Sequence, residues 1–286
     1  MEGIKIRELS CKDVSAAVEK LCIQACCILP KEIEESLVDA KEREESPFGE
    51  FIIDQILENA ACARKQMMPL CQDTGVAIVM VEMGQEMVIN GGNLTDAINE
   101  GVRRGYKKGF LRKSMVDDPI FNRKNTLTNT PAVIYYELVQ GDHMKIMLLP
   151  KGGGGENVGA LKMLRPADGL EGVKDFVLQT ISEAGGKPCP PIIVGVGVGG
   201  TLDKAAVMSK KALCRSINQP NPHPQYAALE SELLEKINSM GIGPQGLGGR
   251  VTALAVQIEY FPTHMASLPV AITVNCHSAR FAEITL

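Results

Sequence analysis

Residues 69–84 read "PLCQDTGVAIVMVEMG", and the fold class turns on the change of texture inside this stretch. Up to Gly75 it is a bend, with a proline and a glycine enclosing Cys71, Gln72 and Asp73. From Val76 an apolar run rich in valine and isoleucine predicts a strand. A plain connection needs only turn-formers, so a cysteine, an amide and a carboxylate placed side by side on the bend ask for a chemical reason.

Upstream, the chain reads as helices to about residue 68. In "SPFGEFIIDQILENAACARKQ" Phe48, Phe51, Ile52, Ile56, Ala60 and Ala63 recur at spacings of three and four, behind Ser46 as N-cap and Pro47 in the first turn. Cys22, Cys26 and Cys27 fall on an earlier helix. Their spacing resembles half a metal site, but a buried helix also uses cysteine as a small hydrophobe, and that reading is favoured here.

Downstream, "EMVIN" predicts another strand and "GNLTDAINEGVRRGYKKG" a helix opened by Asn93 or Thr95. "AVIYYELV", the turn "QGD" and "HMKIMLLP" predict a β-hairpin. After a glycine run at 152–155 come a helix around 170–184, the strand "PIIVGVGV", a helix from about Thr201 to Leu213, and the helix "PQYAALESELLEKINSM" closed by Gly241. "VTALAVQIEY" and "SLPVAITVNC" close the chain as strands. Helices and strands are mixed throughout, which predicts an α/β fold with mixed sheets and surrounding helices. The expectation is one domain over residues 1–286, with a helical N-terminal segment of about 1–68 packed on the rest.

At 286 residues the chain can bury a sizeable core without disulfides. Its formal net charge of −4 and pI near 5.7 leave basic residues scattered among acids, which argues against a nucleic-acid surface. Seven Phe, five Tyr and no Trp make base-stacking platforms a poor use of this surface. The N-terminus lacks the basic-then-apolar layout of a signal peptide, and no apolar run reaches a membrane span of roughly 18 residues. Nine cysteines is an odd count, which fits a reducing compartment. The chain therefore reads as a soluble cytoplasmic protein without nucleic-acid or membrane partners.

Three cysteines differ from the other six in their surroundings: Cys71 on the bend, Cys189 in "GGKPCPPIIVGVGVGG" and Cys276 in "VNCHSAR". Each sits where proline stiffens the backbone or an element ends, so side chains from distant loops can converge. Three thiolates could hold a zinc ion with an open position, or a 4Fe-4S cluster whose fourth iron lacks a protein ligand; unrelated thiols give the same spacing. The run "PKGGGGENVGALKML" could present N–H groups to an anion, with Glu156-Asn157 capping a following helix, or be a flexible connection. It lacks the spacing of a P-loop. "GVGVGG" at 195–200 departs from the dinucleotide fingerprint. Arg112, near Ser114 in "FLRKSMVDDP", suits a carboxylate or a solvated surface. His264 in "YFPTHMASLP" could be an acid or base, or structural.

Taken in order, "LCQDTG", "LRKS", "KGGGGEN", "CPPIIVGVGVGGT", "PTHMASLPVA" and "NCHSAR" resemble the motifs of class I, iron-sulfur fumarate hydratases and the related L-tartrate dehydratases. The likeness runs from about residue 45 onward. It implies a hydro-lyase acting on a four-carbon 2-hydroxy diacid, with malate and fumarate the first expectation and tartrate the alternative. It implies a 4Fe-4S cluster on Cys71, Cys189 and Cys276. Gln72 and Asp73 would meet substrate, Asp73 in binding or proton transfer; Arg112 would grip a carboxylate, Gly153 or Gly154 would offer an N–H, and His264 would contact substrate. Gly155 stands where such enzymes often carry Ser, and any hydroxyl contact there is lost. Single-chain members carry a further C-terminal domain, so this chain resembles the α subunit of a two-subunit form, with a separate β subunit in an α2β2 assembly. A non-catalytic iron-sulfur or zinc protein on the same scaffold is the alternative of another class. Retention of Gln72, Asp73, Arg112 and His264 beside the cysteines favours catalysis, because a carrier needs only ligands.

Overall fold

A computed structural model describes residues 6–286. The first five residues of the expected N-terminal helical segment lie outside the described residues. In chain order the elements begin with strand β1 (Arg7–Ser10), helices α1 (Cys11–Cys27), α2 (Lys31–Arg43) and α3 (Pro47–Gln66), strands β2 (Val76–Gly84) and β3 (Met87–Asn90), and helix α4 (Leu94–Lys108). Strands β4 (Val133–Val139) and β5 (Met144–Lys151), the short helix α5 (Gly153–Glu156), strand β6 (Ala160–Leu164) and helix α6 (Gly169–Ala184) follow. The rest comprises β7 (Ile192–Gly199), α7 (Leu202–Ala212), α8 (Pro224–Asn238), β8 (Ala253–Phe261), β9 (Leu268–Asn275) and β10 (Ala282–Thr285). The mixed α/β class expected from the sequence is present, with the N-terminal segment helical from Cys11 and a short strand ahead of it.

The described residues divide into two compact units, one of residues 6–29, 60–152 and 280–286, the other of 30–59 and 153–279. In the first, β10, β5, β2 and β4 form a sheet in that order: β2 runs parallel to β4 and antiparallel to β5, and β5 antiparallel to β10. A separate parallel pair joins β1 and β3. The core lies between this sheet and the α1–α4 pair, where Val18, Leu21, Cys22, Cys26, Ile98, Val102 and Tyr106 are almost wholly buried with Val79, Ile146 and Leu148. Asn93 caps α4 by accepting from the Asp96 N–H at 3.2 Å, which supplies one of the donors a helix start leaves unpaired.

The second unit holds a sheet in the order β6, β9, β7, β8, in which β9 is antiparallel to both neighbours and β7 parallel to β8. Every residue of β7 is buried, as expected of a central strand with neighbours on both sides. Its glycines have a packing cause: a Cβ on Gly195 or Gly197 would overlap the carbonyls of Ser209 or Ala205 on α7. The "GVGVGG" run thus lets a helix lie unusually close to a strand. Glu44 braces this unit by accepting from the backbone N–H groups of Glu45, Ser46, Arg250 and Val251 at 2.8–3.0 Å.

Several expectations are corrected. The predicted hairpin is absent: β4 and β5 flank β2 and do not pair with each other. The run Ala77–Val81 is buried throughout and takes the sheet interior, leaving the more exposed β4 at the edge. The return between β4 and β5 accepts hydrogen bonds from the end of β2, Gln85 N–H to the Val139 carbonyl and Gly84 N–H to that of His143, both at 2.9 Å. Glu156-Asn157 caps no helix; the glycines themselves wind into α5 and a strand follows. Phe48 and Phe51 are not on the buried face of α3, being 52% and 53% exposed, while Ile53, Ile56, Ala60 and Ala63 point inward. Ser46 does cap that helix, its hydroxyl accepting from the Gly49 N–H at 3.3 Å. Strand β10 was not anticipated.

Candidate active site

The bend of residues 71–75 is held by donors aimed at three consecutive carbonyls. Buried Arg280 donates to the main-chain oxygen of Asp73. The Tyr106 hydroxyl, wholly buried on α4, lies 2.9 Å from the Thr74 oxygen and 3.1 Å from that of Gly75. The side-chain amide of Asn129 reaches the Gly75 oxygen at 3.2 Å. Burial pushes the Tyr106 phenol well above its ordinary range, so the hydroxyl keeps the proton it donates. The Asp73 carboxylate closes the bend by accepting from the Gly75 N–H at 3.1 Å.

Such a frame satisfies the backbone from the core side and leaves Cys71, Gln72 and Asp73 with access to solvent. Gln72 is exposed, and Cys71 and Asp73 are half-buried. The Cys71 thiol donates to Gln72 Oε1 at 3.4 Å. Arg112 is exposed and follows α4. Its carbonyl accepts from the Thr74 hydroxyl at 2.8 Å, so the loop that carries this guanidinium is tied to the bend. Cysteine, amide, carboxylate and the arginine loop therefore belong to one framework within the first unit.

The remaining predicted residues lie in the second unit. Cys189 is exposed, with its backbone in the left-handed region at φ 56°, and its carbonyl accepts from the His277 N–H at 3.3 Å. That bond joins the Cys189 loop to the one carrying half-buried Cys276, whose thiol lies 3.1 Å from the Ser278 hydroxyl. Gly153 and Gly154 are exposed on α5, while Gly155 is buried. Lys210 anchors this turn by pairing with Glu156 at 2.6 Å. His264 is exposed, its Nδ1 accepting from the Ala266 N–H at 3.1 Å, beside a cavity of about 430 Å³ lined by Val173, Val198, Tyr226 and Leu268 among others.

The helical cysteines behave as packing residues. Cys22, Cys26 and Cys27 are wholly buried, and burial pushes the Cys26 thiol up to about 12. Among the described residues, no group of three or more His, Cys, Asp or Glu is placed to hold a metal ion. No helix among them is long and apolar enough to cross a membrane.

Sequence reasoning missed Tyr106, Asn129 and Arg280. Arg280 had a signal, as the last residue of "NCHSAR". Tyr106 reads as an ordinary residue of an apolar helix face, and Asn129 as a turn residue.

The model of the fumarate hydratase (Fumerase) family matches residues 15–285. A protein of Methanocaldococcus jannaschii, named "Putative L(+)-tartrate dehydratase subunit alpha", is 43% identical over 277 residues, covering 94% of this chain and 96% of that protein. The L(+)-tartrate dehydratase subunit alpha of Escherichia coli K12 is 34% identical over 254 residues, covering 88% of this chain and 84% of its own. The protein of the same name in Shigella sonnei matches to the same extent.

Proposed function

Because this chain belongs to the fumarate hydratase (Fumerase) family and is a hydro-lyase of the class I type, we propose that it reversibly dehydrates a four-carbon 2-hydroxy diacid, malate to fumarate, as an α subunit completed by a separate β subunit. The observation that carries this reading is the bend at 71–75, which presents an amide and a carboxylate and ties the Arg112 loop to itself through Thr74. A diacid offers two carboxylates to grip and one weakly acidic C–H to deprotonate, and these groups suit those tasks.

Arg112 binds one carboxylate of the substrate through its planar fork. Gln72 donates a hydrogen bond from its amide, and Asp73, whose carboxylate is an acceptor when ionised, orients the hydroxy acid or takes a proton from it. N–H groups of Gly153 or Gly154 meet a carboxylate oxygen, and His264 contacts the substrate. Donors of this kind stabilise charge that gathers on a carboxylate beside the carbon losing its proton.

Donor chemistry supports a 4Fe-4S cluster on Cys71, Cys189 and Cys276. All three have solvent access at loops or element ends, whereas Cys22 and Cys26 are buried with their thiols pushed up, which disfavours the thiolate a metal needs. When bound, the cluster supplies a Lewis-acidic iron that makes hydroxide a tolerable leaving group. A cytoplasmic, reducing setting suits free thiols with solvent access. The names of the relatives favour a second reading, L(+)-tartrate as the substrate.

The test is to reconstitute the chain anaerobically and measure iron and sulfide, then assay it with its partner chain on malate, fumarate and L(+)-tartrate. About four irons and four sulfides per chain, lost in Cys71→Ser, Cys189→Ser and Cys276→Ser, with turnover dependent on the partner, is the expected result. Little iron, iron lost instead through Cys22→Ser, or full turnover by this chain alone would overturn the reading.

A further inference from the structure

Between α4 and β4 the chain runs 24 residues, 109 to 132, without a helix and with only an isolated bridge between Val116 and Asn125. Connections of this length are often mobile unless pinned. Two of its pins fall at and just after Arg112. The carbonyl of Arg112 accepts from the Thr74 hydroxyl at 2.8 Å. Two residues on, the Ser114 N–H donates to Asn129 Oδ1 at 2.8 Å, while Nδ2 of the same amide donates to the Gly75 carbonyl at 3.2 Å.

We propose that Thr74 and Asn129 are positioning residues that hold the Arg112 loop in register with the bend presenting Gln72 and Asp73, and thereby set the grip on a substrate carboxylate. The inference rests on the reading of Arg112 as a carboxylate ligand. Thr74 is 1% exposed and Asn129 wholly buried, so both act through the loops they join and not by touching substrate. Asn129 serves both partners with one rigid group, its oxygen taking one loop and its nitrogen the other. Its backbone, at φ 60°, lies in the left-handed region that asparagine tolerates better than most residues. Tyr106 completes the frame beneath, so the arginine is registered against a bend that is itself fixed. Sub-ångström slack between a guanidinium and its carboxylate is costly because bidentate pairing is directional.

The experiment uses the assembled, reconstituted enzyme with its partner chain. Succinate, an unreactive four-carbon diacid, is titrated calorimetrically, and KM and kcat are measured alongside. Thr74→Val removes the hydroxyl at nearly constant shape. Asn129→Asp keeps the acceptor for Ser114 but turns an oxygen toward the Gly75 carbonyl. Both should weaken succinate about fivefold or more and raise KM in parallel, with kcat within about twofold, the pattern of lost binding and not lost chemistry. Thr74→Ser, which keeps the hydroxyl, should restore wild-type affinity. Equal weakening in Ser and Val would mean that the methyl group and not the hydrogen bond matters, and would overturn the proposal. So would wild-type affinity in both Thr74→Val and Asn129→Asp while Arg112→Ala weakens succinate. If Arg112→Ala leaves succinate affinity unchanged, the carboxylate reading itself fails and takes the proposal with it.

Discussion

The Arg280 guanidinium donates to the main-chain carbonyl of Asp73, a residue 207 positions earlier, from a side chain only 4% exposed. A buried cation used on backbone holds one peptide of the bend in place. Removing it with Arg280→Met should take this donor from the Asp73 carbonyl and lower stability by about 1–3 kcal/mol, measured by urea unfolding. Arg280→Lys should recover only part of that loss, because a flexible ammonium does not reproduce the planar fork. Full recovery by lysine would show that charge alone is required there.

Tyr106→Phe deletes a single oxygen beneath the same bend. The Thr74 and Gly75 carbonyls both lie within 3.1 Å of that hydroxyl; Gly75 also has the Asn129 amide at 3.2 Å, whereas Thr74 has the weaker Cys26 thiol at 4.0 Å. The loss should therefore fall mainly on Thr74 and cost about 1–3 kcal/mol. Hydrogen exchange should show greater opening of the backbone at residues 73–76 than elsewhere in the unit, and uniform loosening would contradict a local role.

Glu44 should make stability depend on acid pH. Burial opposes its charge, but the backbone donors of Val251, Arg250, Ser46 and Glu45 more than offset this and hold its pKa below the ordinary 4.5. A carboxylate depressed on folding contributes stability that is fully present above its unfolded pKa and is lost as pH falls through the lower folded value. Thermal unfolding followed from pH 6 downward should show the wild type losing its advantage over Glu44→Gln across that acid window. A stability difference independent of pH would rule out this origin.

Gly105 offers a test in which the sign of the effect is informative. In a helix interior alanine usually beats glycine by about 1 kcal/mol. On α4, however, a Cβ at Gly105 would lie 2.7 Å from the Cβ of Cys22 on α1. Gly105→Ala should therefore destabilise, by about 1–3 kcal/mol from overpacking, as measured by denaturant unfolding. A stabilised variant would mean that the two helices separate at little cost.

Much of the fold was legible because periodicity and caps are local signals. The strand after Gly75, the Asn93 cap and the helix opened by Ser46 and Pro47 all appear where residue type predicts them. Strand order was not legible, since a "QGD" turn looks the same whether two strands pair directly or straddle a third. Phe48 and Phe51 misled for a related reason: helical spacing defines a face, but not whether that face is covered. At the candidate site, Cys71, Gln72, Asp73 and Arg112 stood out by chemistry and motif. Their supports did not, because a tyrosine on an apolar helix face acquires a polar task only when the fold brings two carbonyls to its hydroxyl.

Strand β10 has a consequence for how the molecule is made. Its residues 282–285 pair with Leu148–Lys145, and Arg280 just before it secures Asp73. The unit that contains the N-terminal helix α1 therefore lacks an edge strand and a backbone anchor until residues 280–286 have been synthesised. Long-range closures of this kind are slow steps. The nascent chain must hold an unfinished first unit while the intervening residues emerge, so chaperone dependence during translation should fall on the region translated first.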